Sequence, residues 1–587
     1  MMKNNFRTRR FDRRSGLVPT WADENAIVRL FQERGRLSVR YKNPRLASDL
    51  LHLPRTVPTF LFGCLLFAAT ALSAAQRPNI LFIFSDDHSL QTLGAHQGRM
   101  QAFLKAHQVT PNLDRLAEEG MYFENSFVCN SICGPSRAAI LTGKHSWQNG
   151  FLANGHQFDG SQWTLPKAFQ SAGYETVIYG KWHLGTTPTG FDSSCVLPGQ
   201  GKYYNPDFSV NGREVIQKEG YCTDVIVDMT LDWLKNQRDP NKPFFLCSWQ
   251  KAPHRTWMPA ARHFEYLADV DIPEPSNLFD TYGGGRNASL KAQHMSIEAH
   301  LNMAYDLKVT APVTQANLER IQREAPATKS KDGATIREFR RMTPAQREVW
   351  NAHYVPRNEQ FRAMDLERDD LVRWKYQHYL KDYLRCIKAL DENVGRLMAY
   401  LKDTGLDQNT IVIYSSDQGF YNGEHGWYDK RWMYEESLRN PFIIKWPGVT
   451  QPGARVAEMI QNIDYAPTLL ECAGIEIPEA VQGDSFKAIL QGESPADWRK
   501  ELLYTYYGRG AHRVASHYGV RTDRHKLIHF QGKDEWELFD LKKDPNEMQN
   551  LYHHPEYASK VRELSDSLNH LVSEYAVELK VPNQGKK

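Results

Sequence analysis

The string Cys133-Gly-Pro-Ser-Arg137, continued by Ala-Ala-Ile-Leu-Thr-Gly143, puts a thiol, a helix-starting proline and a cation within about one turn. Pro135 suits the first turn of a helix and Gly143 suits its end. Cys133 then stands just before a helix N-terminus, where the backbone dipole favours developing negative charge. Arg137 lies one turn in and can reach back toward it. A cysteine alone in such a place is more often packing than chemistry, so the surrounding residues have to decide. Asp86-Asp87 ends one apolar run and Asp417-Gln418 ends another. Like charges gathered in this way are costly unless a cation neutralises them. Carboxylates with an amide oxygen make a hard-oxygen site suited to Ca²⁺ or Mg²⁺. Gly180-Lys181-Trp-His183, Lys251-Ala-Pro-His254-Arg255 and Asp429-Lys430-Arg431 add cations and proton carriers. Each string alone reads as surface charge. With Arg137 they form a set fit to stabilise and protonate an anionic transition state.

The elements that must bring these residues together are legible around them. Ile80-Leu-Phe-Ile-Phe84 is a continuous apolar run, the pattern of a strand buried on both faces of a parallel sheet. Thr110, Pro111 and Gly120 bound a helix after it. Further strands are expected over Tyr174–Tyr179, Phe244–Trp249 and Ile411–Tyr414. Ile226, Met229 and Trp233 share one helical face, and Leu380, Leu384, Ile387, Val394, Leu397 and Leu401 mark a long amphipathic helix. Strands alternating with helices imply an α/β domain with its site at the strand ends. Residues of about 260–370 form a polar insertion of weak periodicity, expected as surface loops and short helices. From residue 498 short strands recur, over Leu502–Tyr507, Tyr518–Thr522, Lys526–Phe530 and Trp536–Phe539. A last helix has Val561, Leu564, Leu568 and Leu571 on one face. The expected division is therefore a catalytic domain over 76–497 and an α+β subdomain over 498–587.

The balance of 72 basic against 69 acidic residues leaves a net charge of +3 and no polyanion-binding tail, which argues against nucleic acid as a partner. The 14 tryptophans and 27 tyrosines suit sugar stacking as well as an aromatic core. Residues 1–55 are basic and read as a mis-called or disordered extension. Residues 56–75, an apolar run behind Arg55 that closes on small residues, have the layout of a signal peptide or a signal anchor. Export to the periplasm or beyond is expected, with a mature start near Ala75 or Gln76 and membrane attachment only if the segment is retained. Seven cysteines follow Cys64, and their spacings form neither a disulfide framework nor a zinc pattern.

Taken together, these motifs resemble the type I, formylglycine-dependent sulfatases of the alkaline phosphatase superfamily. The resemblance spans residues of about 78–455 by motif. It extends more loosely to Tyr518-Gly-Val-Arg521 and Trp536-Glu-Leu-Phe-Asp540. The strings near His254, Asp417 and the C-terminus are most similar to bacterial N-acetylglucosamine-6-sulfatase-like glycan sulfatases. The resemblance implies an alkaline-phosphatase-like large domain with a mainly parallel sheet flanked by helices, plus a small domain with a short antiparallel sheet. It implies that a maturation enzyme oxidises Cys133 to formylglycine. It implies one divalent metal, Ca²⁺ or Mg²⁺, held by Asp86, Asp87, Asp417, Gln418 and the modified residue 133. Gln418 departs from the family, where asparagine is usual, by one methylene. Arg137, Lys181 and Lys430 would spread charge, His254 would protonate the leaving alkoxide, and His183 would take a proton as sulfate departs. A sulfated saccharide, such as 6-O-sulfated N-acetylglucosamine, would lie between the domains against Arg255, Trp257, His517 and Arg521. Two alternatives stay open: a phosphate or phosphonate monoester hydrolase with the same nucleophile, and an inactive glycan-binding protein.

Overall fold

The central strand β1 (Asn79–Ser85) is buried along its whole length. A run with no polar face can only sit between two covered sides. After it come helix α1 (Pro111–Glu119), strand β2 (Met121–Phe123) and helix α2 (Cys133–Thr142). Strands β3 (Glu175–Lys181), β4 (Ser193–Leu197), β5 (Asp207–Val210) and β6 (Glu214–Gln217) precede helix α3 (Cys222–Asp232) and strand β7 (Phe244–Trp249). Helices α4 (Pro344–Met364) and α5 (Arg368–Asp403) lead to β8 (Thr410–Ser416), β9 (Phe442–Lys445) and β10 (Ala454–Val456). These ten strands form one sheet in the order β10-β2-β9-β8-β1-β7-β3-β4-β5-β6. The block β8-β1-β7-β3-β4 is parallel throughout, and antiparallel strands flank it on both sides.

Alternation along β1 assigns its residues to two cores. Ile80, Phe82 and Phe84 pack with Ile140 and Leu141 of α2. Leu81 and Ile83 pack on the other side with residues of α1, α3 and α5. The four strands β11 (Glu501–Tyr506), β12 (His517–Thr522), β13 (His525–Phe530) and β14 (Glu535–Asp540) make a separate antiparallel meander. Helix α6 (Ala558–Glu574) covers it through Leu564, Leu568 and Leu571. The fold class is thus the expected one, a large helix-flanked sheet with a small antiparallel sheet.

This computed structural model describes residues 77–324, 331–508, 511–532 and 535–579. The expected extension 1–55 and signal segment 56–75 lie outside the described residues. Gln76–Lys587 forms one compact unit, which joins the two expected domains. The polar insertion differs from its expectation. It includes the 21-residue helix α4, started by a capping box at Thr343. Trp350 and Tyr354, one turn apart on α4, are buried with Phe264 and Phe339 against the first half of α5. Helix α5 accordingly begins at Arg368, well before Leu380. The apolar residues of the insertion are few and separated by loops, so they pack as a core without showing a period.

Candidate active site

Strands β1, β3, β7 and β8 run parallel, so their carboxyl ends open on the same edge of the sheet. Asp86-Asp87 follows β1, Lys181 ends β3, His254 follows β7, and Asp417-Gln418 follows β8. Helix α2 sets Cys133 beside them. Cys133 is its first residue, Pro135 lies in its first turn, and Gly143 ends it at φ 63°. All ten residues of α2 are buried, so both position and rotation of the helix are fixed by packing. Burial, with Asp86 close by, pushes the Cys133 thiol far above its ordinary value. As a thiol this residue is a poor nucleophile.

Ligand oxygens of Asp86, Asp87 and Asp417 lie within 4.8 Å of one another, as do ligand atoms of Asp86, Cys133 and His254. The backbone N–H of Asp87 donates to Asp417 Oδ1 at 3.0 Å. Lys181 Nζ caps Asp86. Lys430 Nζ meets the two oxygens of Asp87 at 2.5 and 2.6 Å. Arg137 Nη2 lies 3.0 Å from Asp417 Oδ2 and 3.8 Å from Asp86 Oδ1. The Arg137 guanidinium also donates to the Lys181 carbonyl at 2.8 Å and is enclosed by the Phe84 and Trp249 rings. Burial and the neighbouring Asp86 push Asp417 up to about 8. Burial raises Asp87 to about 6 against the pull of Lys430. Burial alone would raise Asp86 as well, but Lys181, His254 and Arg137 outweigh it and hold it ionised.

Two oxygens of this cluster, Asp86 Oδ1 and Gln418 Oε1, are buried without a hydrogen-bond partner. Gln418 spends its amide N–H on Asp87, which leaves its carbonyl oxygen free to ligate. Buried acids whose protonation is favoured by crowding, together with unpartnered oxygens, fit a hard divalent cation. His254 Nε2 stands 3.8 Å from Asp87 Oδ2, and its Nδ1 donates to the Arg255 carbonyl at 2.6 Å. Burial and Lys181 hold both His254 and His183 far below the usual imidazole value, so both are neutral here. His183, at φ 57°, is half-buried.

The side chains of the four expected saccharide contacts are engaged with protein partners. Arg255 is committed to Asp306 through bonds of 2.6 and 2.5 Å, under the Tyr428 ring. Trp257 is fully buried against Tyr379, Phe420 and Tyr428, so its ring faces are core and not a sugar platform. His517 is enclosed by Trp432, Tyr504, Tyr506 and Phe530. Arg521 pairs with Glu435 at 3.0 Å and lines a different cavity, of about 790 Å³, whose walls contain none of the acids or cations above. Sequence reasoning missed a second group. Asp429 and Arg431, on either side of Lys430, pair with each other, and His512 Nε2 lies 3.1 Å from Asp429 Oδ2. Burial would raise Asp429, but Arg431 and His512 hold it well below the usual carboxylate range. The pair flanking Lys430 was visible in the Asp429-Lys430-Arg431 string. His512 was not, because it sits in a loop with no pattern.

Known proteins are similar to this chain along most of its length. The sulfatase family model matches residues 78–475, and the one described as N-sulphoglucosamine sulphohydrolase, C-terminal, matches 423–574. The N-acetylglucosamine-6-O-sulfatase of Bacteroides thetaiotaomicron is 43% identical over 545 residues, which cover 90% of this chain and 93% of that protein. The human N-acetylglucosamine-6-sulfatase is 26% identical over 490 residues, covering 78% of this chain and 73% of that protein. The solved structure of BT4656 in complex with its substrate D-glucosamine-2-N,6-O-disulfate superposes with a TM-score of 0.79 at 44% identity, covering 85% of this chain and 98% of that one. A family match over most of the chain, with relatives aligned along nearly all of it, establishes that this protein belongs to the sulfatase family and is a sulfuric ester hydrolase.

Proposed function

We propose that the protein removes the 6-O-sulfate of an N-acetylglucosamine or a closely related glucosamine unit. The observation that carries the chemistry is the meeting of Cys133, three carboxylates and the cations of Arg137, Lys181 and Lys430 in one buried cluster. The sugar assignment rests on the likeness to the N-acetylglucosamine-6-O-sulfatase. Cys133 is the precursor of formylglycine, whose hydrate supplies a hydroxyl nucleophile and a route for expelling sulfate. Asp86, Asp87, Asp417 and Gln418 would hold a Ca²⁺ ion, which supplies Lewis acidity toward the sulfate oxygens.

The chain's own side chains do the rest. Lys181, Lys430 and Arg137 offer positive charge to a sulfate group as its oxygens gain charge. With Nδ1–H held by the Arg255 carbonyl, His254 acts as the acid only as imidazolium, a form that the charge of a bound sulfate ester favours, and its Nε2–H then passes to the leaving sugar oxygen. An alkoxide is a poor leaving group, so this proton matters more for a sugar than for a phenol. His183 takes up a proton as sulfate departs. Asp429, Arg431 and His512, beside Lys430, combine a carboxylate, a guanidinium and an imidazole and suit sugar hydroxyls. The maturation enzyme and export through the segment 56–75 belong to the same reading. Defined saccharides sulfated at single positions, run beside an aryl phosphate, test it. Preferential release of 6-O-sulfate, lost on chelation and restored by Ca²⁺, is expected. Faster turnover of the phosphate, or release from another position alone, would overturn it.

A further inference from the structure

Lys430 reaches the Asp87 carboxylate from an irregular link, with Asp429 at φ 84° and Arg431 at φ 108° on either side. Neither is a glycine, so both resist this left-handed backbone, and such a geometry persists only where surrounding contacts enforce it. Part of the enforcement is local. Asp429 Oδ1 accepts the N–H of Lys430 at 2.8 Å, and Ser437 Oγ accepts the N–H of Arg431 at 2.8 Å. The other anchors come from the small sheet. Tyr504 on β11 donates its hydroxyl to the Arg431 carbonyl at 2.6 Å. His517 on β12 accepts the N–H of Met433 on Nε2 at 3.1 Å.

The two anchors share one face of that sheet. Tyr506 pairs with His517 and Tyr504 with Gly519 in the β11–β12 register. At Gly519 a Cβ would stand 2.3 Å from the Leu527 carbonyl of the neighbouring strand and 2.7 Å from Met433 Sδ, so glycine leaves room for the Met433 side chain against this face. A backbone N–H can only donate, so His517 Nε2 must carry the lone pair. Its proton is on Nδ1, which donates to the Ala515 carbonyl at 2.8 Å. Burial pushes this imidazole down to about 4 and keeps the neutral form in place.

We propose that Tyr504 and His517 are positioning residues for Lys430: the small C-terminal sheet holds the link 429–433 so that the ammonium meets the sulfate. This rests on the reading of Lys430 as a group that stabilises the anion. Three variants of the metal-loaded, matured enzyme test it, each checked for a native melting transition. His517→Phe keeps an aromatic ring in its cage and removes the acceptor. His517→Gln returns an acceptor at a similar reach. Tyr504→Phe deletes one hydroxyl and keeps the fold readable if the histidine variants do not fold.

His517→Phe and Tyr504→Phe are expected to lower kcat about tenfold on both sugar and aryl sulfate, with KM nearly unchanged, and His517→Gln to recover most of the loss. In a Lys430→Met background neither phenylalanine variant should cost anything further. Wild-type kcat in both phenylalanine variants would overturn the proposal. So would equal loss in His517→Gln and His517→Phe, or a full additional loss in the Lys430→Met background. A Lys430→Met enzyme that keeps its kcat would instead refute the role given to Lys430, and is distinguishable because no clamp variant is needed to see it.

Discussion

Arg255 binds the Asp306 carboxylate at 2.6 and 2.5 Å, and its own carbonyl accepts from His254 Nδ1 at 2.6 Å. Tyr203 donates to the His254 carbonyl at 2.6 Å. The ring proposed as the acid is therefore held through the backbone around it and through the Arg255–Asp306 pair. Asp306→Asn keeps the shape and loses the charge that fixes Arg255. It is expected to lower kcat on a sugar sulfate about tenfold while leaving an aryl sulfate within about twofold, because a phenolate leaves without a proton. Steady-state kinetics on both substrates decide it, and equal loss would assign Asp306 to folding alone. Arg255 also shows where reading residues from a string stops. The motif strings around Cys133, Asp86 and Asp417 were legible because each closes an apolar run or opens a helix. The partner of Arg255 lies 51 residues away in a segment without periodicity, and nothing near Arg255 marks it as taken. Trp257 failed for a related reason, since a tryptophan beside a catalytic motif reads alike whether its faces are open or covered.

At the scale of elements, the strand ends converge because the sheet leaves no slack between them. Gly180, one residue before Lys181 on β3, has φ 106°. A Cβ there would lie 1.8 Å from the Trp249 carbonyl of the neighbouring strand. Gly180→Ala is therefore expected to push β3 from β7, costing about 3 kcal/mol or more of stability and shifting Lys181 off Asp86. Denaturant unfolding measures the first effect and kcat the second, and an unchanged midpoint would contradict the close approach. The parallel block was legible because its strands are apolar on both faces. The edge beyond β8 was less so, since β9, β2 and β10 are only three or four residues long and give no alternation to read. The buried aromatics of α4 were hidden among charged neighbours, so the insertion looked like surface.

Across the whole molecule, buried histidines tie the fold to neutral pH. The unfolded chain's His517 binds a proton near its ordinary 6.5, whereas the folded one refuses it until about 4. Its contribution is thus complete above 6.5 and is lost as the pH falls toward 4. One such group accounts for about 3 kcal/mol over that window. Buried carboxyls such as Glu537, raised by burial to about 7, titrate in the opposite sense. The histidine is therefore read as a difference. The stability gap between the wild type and His517→Gln should shrink by about 3 kcal/mol between pH 7 and pH 4 in urea unfolding. A gap independent of pH would mean that His517 takes up its proton as readily in the fold as in the unfolded chain.

Helix α2 is buried at every position, and Cys133 is 0% exposed at its head. The maturation enzyme proposed to oxidise this thiol would have to reach it and its following residues as an accessible strip of chain. The finished fold offers no such strip, because releasing it would empty the core between the sheet and its helices. The order of events is then set by architecture: modification first, closure second. On the proposed reading a molecule that folds first keeps its thiol, and an inactive fraction would record a race lost before closure rather than a defect in the finished fold.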